Sequence, residues 1–103
     1  MLTLIRSRRF ETWLRDLADK KARARILARL TAAAQGHFGD CKALGDGLSE
    51  MRVHVGAGYR LYFVRTGATV YVMLAGGDKS TQSRDIVAAK AMARELGARD
   101  DEG

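Results

Sequence analysis

Cysteine is almost missing from this chain: Cys41 stands alone among 103 residues, so no internal disulfide can staple the fold. Histidine is nearly as scarce. His37, His54 and Cys41 are scattered along the chain and form no metal-binding spacing, and neither a metal nor another cofactor is expected. No apolar run approaches the roughly 20 residues that cross a bilayer. Leu2, Leu4 and Ile5 are too few for the apolar centre of a signal peptide, so a cytoplasmic protein without a membrane partner is expected. The glycine pair before Lys79 is not a Walker-type loop, because GxxxxGK[ST] is absent. Internal repeats and low-complexity linkers are lacking too. The length suits a single domain, residues 1–103, able to bury its own core.

Positive charge is in surplus. The formal charge is +6, and three of the twelve acidic residues sit together at Asp100, Asp101 and Glu102. Residues 1–99 therefore carry 18 basic against nine acidic side chains. Such an excess suits a polyanion, or an acidic protein covering the same surface.

The stretch Leu48–Lys79 organises the rest. Met51, Val53 and Val55 alternate with Glu50, Arg52 and His54, the period of a half-buried strand. The pattern predicts an antiparallel meander of strands at 48–55, 59–65 and 69–75. A three-residue loop Gly56–Gly58 would set Val55 opposite Tyr59, Val53 opposite Leu61 and Met51 opposite Phe63. The other face would then hold His54 beside Arg60 and Arg52 beside Tyr62. A turn at Thr66-Gly67 would pair Phe63 with Val70 and Leu61 with Val72, placing Tyr71 and Met73 beside Tyr62 and Arg60. One face reads as a core and the other as an open basic and aromatic platform. Lys79 would return to its Gly56–Gly58 end.

Around this meander the chain reads as α+β. Residues 2–6 suit an edge strand. Ser7 can cap a helix through about Ala18, with Phe10, Trp13, Leu14 and Leu17 on one face. Asp19 can cap a second helix to about Gln35, with Gly36 as its stop. Residues 36–47 read as a glycine-punctuated loop. Ser80 or Thr81 can start a last helix through about Leu96, with Gly97 ending it and residues 98–103 fraying.

FETWL near the start, GDCKALGDGLSEMRVHVGAGYRLYF in the middle and LAGGDKSTQSRDI towards the end resemble the RelE/HigB superfamily of toxins, most closely its addiction-module killer protein branch. The resemblance spans residues 2 to about 95, and GYR and GGDKSTQ are its most specific parts. It implies a small antiparallel sheet, an N-terminal strand plus the meander, with two N-terminal helices and a C-terminal helix. It also implies a type II toxin that cleaves messenger RNA on the ribosome, with a cognate helix-turn-helix antitoxin as partner. Arg60 matches a basic position associated with phosphate binding, and Lys79 falls where relatives carry a basic residue. Arg52 and His54 stand where others carry lysines. Some relatives have a functional tyrosine early in the last segment, where this chain has Asp85 and no tyrosine.

Metal-free RNA cleavage needs a base for the ribose 2′-hydroxyl, an acid for the departing 5′-oxygen, and cations for the phosphorane. Arg60, Lys79, His54 and Arg52 are the candidate catalytic set, His54 being the simplest acid–base group. Lys42, Tyr62, Tyr71, Arg23 and Arg25 are the candidate RNA contacts, the tyrosines by stacking. Arg60 can alternatively serve a structural ion pair with Glu50 or Asp78. On the expected open platform, Arg60→Ala would spare the fold. A second class of function remains open: a non-catalytic module holding an antitoxin or nucleic acid on the same surface.

Overall fold

A computed structural model describes residues 1–97 of the chain. In order, the elements are β1 (Thr3–Arg6), α1 (Arg8–Arg15), α2 (Lys20–Ala34), β2 (Cys41–Gly45), β3 (Leu48–Val53), β4 (Tyr59–Arg65), β5 (Val70–Asp78), a 3₁₀ turn (Lys79–Thr81) and α3 (Gln82–Glu95). The five strands form one sheet in the order β1-β5-β4-β3-β2. The fold is α+β, as expected, with β1 on an edge. Because β1 runs parallel to β5, the sheet is mixed rather than wholly antiparallel. The expected fraying of 98–103 lies outside the described residues.

The helix starts follow their capping chemistry. Ser7 Oγ accepts from the Phe10 N–H at 3.0 Å and donates to Leu74 O at 2.7 Å, so one hydroxyl caps α1 and ties it to β5. Asp19 Oδ1 accepts from the Ala22 N–H at 3.0 Å and starts α2. Asp78, rather than Ser80 or Thr81, supplies the side-chain cap before α3, accepting from the Ser80 N–H at 2.8 Å. Gly36 (φ 93°) and Gly97 (φ 62°) follow α2 and α3 in the left-handed conformation that ends helices.

Two cores lie on opposite faces. Phe10, Leu14, Ile26 and Leu30 of α1 and α2 pack on Met51, Val53, Leu61, Phe63 and Met73. On the other face Ala89 and Ala93 of α3 pack on Leu48, Tyr62, Val64, Leu74 and Ala75. The expected open platform is therefore covered in large part by α3, whose own apolar stripe needed a partner.

Three further expectations are corrected. Residues 41–45 form β2, antiparallel to β3, instead of loop; neighbouring strand β3 supplies the ladder that the short segment's own pattern does not advertise. The β3–β4 connection is five residues, His54–Gly58, with Gly56 and Gly58 at φ 55° and 79°. Pairing therefore sets Val53 opposite Tyr59 and Arg52 opposite Arg60. This is a slip of two residues from the expected register, which preserves each side chain's face and so escapes the alternation argument.

The third correction is a β-bulge. Tyr62 pairs with Ala75 but Phe63 pairs with Met73, leaving Leu74 as the extra residue. Below the bulge, Tyr71 and Met73 face α1 and α2, while Val72 joins Leu74 and Ala75 on the α3 side, opposite to the expected assignment. Beyond it, Gly76 faces α1 and Gly77 faces α3. A Cβ at Gly76 would lie 2.3 Å from two indole carbons of Trp13. We expect Gly76→Ala to force Trp13 outward and to lower stability by about 1–3 kcal/mol, a typical cost of overpacking. Urea unfolding followed by the fluorescence of the single tryptophan measures both effects; unchanged stability and emission would contradict this packing.

Candidate functional site

The end of the β3–β4 hairpin is a concavity lined by the connection His54–Gly58 and by Lys79. Lys79 arrives there because its backbone N–H donates to Gly58 O at 3.1 Å. Its stem runs over Gly58, where a Cβ would stand 3.3 Å from Lys79 Cε. Both Lys79 and His54 are solvent-exposed. The sequence-derived meeting of these two residues at this end of the sheet agrees with the geometry.

His54 is held by a residue absent from the sequence-derived set. Its Nε2 lies 2.6 Å from Oδ2 of Asp40, and Arg52 Nε is 3.9 Å from Oδ1 of the same carboxylate. The His54 hydrogen bond, with Arg52 adding charge, holds the Asp40 carboxyl below its ordinary value. Asp40 is positioned in turn by Arg29 of α2, which donates to Phe38 O at 2.9 Å and to Arg52 O at 2.6 Å. Its guanidinium lies against Gly39, where a Cβ would come within 2.8 Å. No spacing rule links Asp40 to His54; they meet because the chain before β2 runs beside the end of β3.

Arg60 stands next door, on the sheet face turned to α3, and its side chain is only 12% exposed. Across the ladder it faces Arg52, not His54. Like charges side by side repel, and Glu50 answers them: its carboxylate is 3.5 Å from Arg60 Nε and 3.6 Å from Arg52 Nε, with 3% of its side chain exposed. Gln82 of α3 donates to Glu50 Oε1 at 2.8 Å. The structural pairing with Glu50, weighed as an alternative, is present, while Asp78 is engaged at its helix cap. Truncating Arg60 would thus disturb a buried carboxylate, and the expectation that Arg60→Ala spares the fold gives way to a loss on the order of a few kcal/mol.

The other candidates scatter. Tyr62 is fully buried beneath α3; burial, with Glu50 and Asp85 nearby, pushes its hydroxyl up, and no base can reach its ring in this arrangement. Tyr71 packs against the stacked rings of Phe38 and Phe63 on the α1/α2 face. Lys42 is exposed on β2, opposite Glu50 in the ladder. Arg23 and Arg25 are exposed on α2, across the sheet from Arg52 and Arg60. Among the described residues no three His, Cys, Asp or Glu side chains gather as a metal site, and no helix is long and apolar enough to cross a membrane.

Residues 12–96, most of the sheet and all of α2 and α3, match the family described as Phage derived protein Gp49-like (DUF891). The chain belongs to that family, which is toxin-like and related to addiction modules. An uncharacterized protein of Haemophilus influenzae is 44% identical to it over 88 residues, 85% of this chain and 89% of that relative.

The Asp40–His54 contact has a pH signature. A carboxyl held low contributes stability that is present above its unfolded value, near 3.8, and is lost as pH falls through the lower folded value. We expect an NMR titration of Asp40 to show a midpoint below 3.8, rising towards it in His54→Ala. An Asp40 midpoint unaffected by that substitution would remove the contact as the cause.

Proposed function

We propose that this protein is the toxin of a type II toxin-antitoxin system, a ribosome-dependent endoribonuclease of RelE/HigB type that stops translation. The observation that carries the reading is the shared concavity of Lys79 and His54, with Arg52 and Arg60 paired in the ladder on the two strands that the connection joins. Membership in a toxin-like family and the GYR and GGDKSTQ segments support it. The partners proposed are messenger RNA on the ribosome and a helix-turn-helix antitoxin that covers the basic surface.

In this mechanism the chemistry runs through side chains. An ionised Asp40 only accepts, so His54 Nε2 carries the proton and the Nδ1 lone pair is left as base. Nδ1 takes the proton of the ribose 2′-hydroxyl as that oxygen attacks the adjacent phosphorus. The Lys79 ammonium stabilises the phosphorane and protonates the departing 5′-oxygen. The products are a 2′,3′-cyclic phosphate and a free 5′-hydroxyl. Arg60 touches Glu50 through Nε, which leaves its terminal nitrogens to bind a phosphate oxygen. The reserve of positive charge on α1 and α2 attracts the RNA backbone or an acidic antitoxin.

The partly hidden, ion-paired Arg60 favours one second reading, a module that binds without cutting. Exposed Lys79 separates the two. Lys79→Ala should fold normally and cleave roughly 10²–10³-fold more slowly, the usual cost of losing a preorganised charge stabiliser. Arg60→Lys, which keeps the charge beside Glu50, should retain part of the activity. The assay is ribosome-dependent RNA cleavage and growth arrest on induction, with circular dichroism as folding control. Intact messenger RNA and normal growth with the unmutated chain would establish the binding module instead.

A further inference from the structure

On the far side of the Asp78–Lys79 strand end, a second groove of about 370 Å³ opens between α1 and the start of α3. That is the size of a small-molecule site. Trp13, half-buried, forms one wall, its indole resting on Gly76. Asp85, 6% exposed, forms the other, its carboxylate resting on Gly77 where a Cβ would come within 1.9 Å of Oδ2. Arg9 and Arg84 stand exposed on the rim. The two glycines exist in this sense for two side chains, each of which reaches the sheet only because no Cβ intervenes.

Asp85 is poorly matched to a purely structural role. Among the described residues its carboxylate accepts one hydrogen bond, from Thr81 Oγ1 at 2.6 Å to Oδ2, and has no ion-pair partner within 4.0 Å. A carboxylate offers about four acceptor positions. Burying one with so few donors is costly unless something else supplies them.

We propose that this groove is a nucleobase pocket that takes guanine. The proposal rests on the RNA-directed reading above and assigns it a specificity pocket. Guanine alone presents two adjacent donors, N1–H and N2–H₂, on its Watson–Crick edge, matching the two oxygens of one carboxylate. Adenine and cytosine set an acceptor beside their single amino group, and uracil flanks its N–H with two carbonyls. The indole wall suits a stacked base. The two rim arginines attract the attached phosphate and repel the cationic side chain of a peptide, the competing source of paired donors. Position agrees: Gly77 is the ladder partner of Arg60, so a base here adjoins a phosphate held at Arg60 and Lys79.

Trp13, the single tryptophan, reports occupancy directly. Titration of the intact protein with 5′-GMP, AMP, CMP and UMP should quench its emission, with GMP binding roughly ten-fold or more tightly than the others. Inosine monophosphate, which lacks only the 2-amino group, should fall between GMP and AMP. Asp85→Asn should erase the preference for GMP, whereas Arg84→Ala should weaken all four nucleotides alike. If Asp85→Asn fails to fold, the GMP-to-inosine monophosphate ratio on the unmutated chain decides the matter alone. Equal affinity for the four nucleotides, or tighter quenching by an arginine-rich peptide than by GMP, would overturn the pocket even if the protein cleaves RNA. GMP preference in a protein that cleaves nothing would uphold the pocket and overturn the nuclease reading.

Discussion

Two adjacent residues without side chains, Gly76 and Gly77, set the geometry on which the rest of the molecule depends. One lets α1 settle on the sheet through Trp13, and the other lets α3 settle on the opposite face through Asp85. The bulge at Leu74 decides which glycine faces which helix. It also lets Leu74 and Ala75 both enter the α3 core, at the point where a regular strand would have alternated. Ser7 adds a tie from the cap of α1 to Leu74 O, so the start of the first helix is anchored at the same irregularity.

That arrangement brings the end of β5 against the β3–β4 connection. The Lys79 N–H bond to Gly58 O closes the contact, and the candidate concavity is the space left between them. Around it the charges are layered by depth. Glu50 lies buried between Arg52 and Arg60, where it makes a like-charged cross-strand pair tolerable. Asp40, His54 and Lys79 remain in solvent, able to meet a large substrate. The exposed Lys79 ammonium lies outermost, with the shielded guanidiniums of Arg52 and Arg60 behind it.

α3 both restricts and organises this surface. Its Ala89 and Ala93 bury Tyr62, removing the aromatic platform, while Gln82 at its start joins Glu50 to the arginine pair. The groove bounded by Trp13 and Asp85 exists only because α1 and α3 approach the same strand end from opposite faces.

Much of this was written locally. The caps at Ser7 and Asp19, the stop at Gly36 and the alternation of β3 and β4 determined the helices, the meander and which residues of those two strands share a face, because each depends on neighbours within a few positions. The antiparallel order of the meander then brings Lys79 and His54 to one end. Tertiary structure decided the rest. A two-residue slip leaves alternation untouched, so only the left-handed glycines of a five-residue connection set Arg52 rather than His54 opposite Arg60. The bulge carries no periodic signal, so the faces of Tyr71, Met73 and Val72 could not be read before the helices packed. β2 becomes a strand because β3 offers it a ladder, and that pairing is what carries Asp40 to His54. The sheet's second face was open or covered depending on where α3 came to rest, and nothing within the strands themselves records that choice.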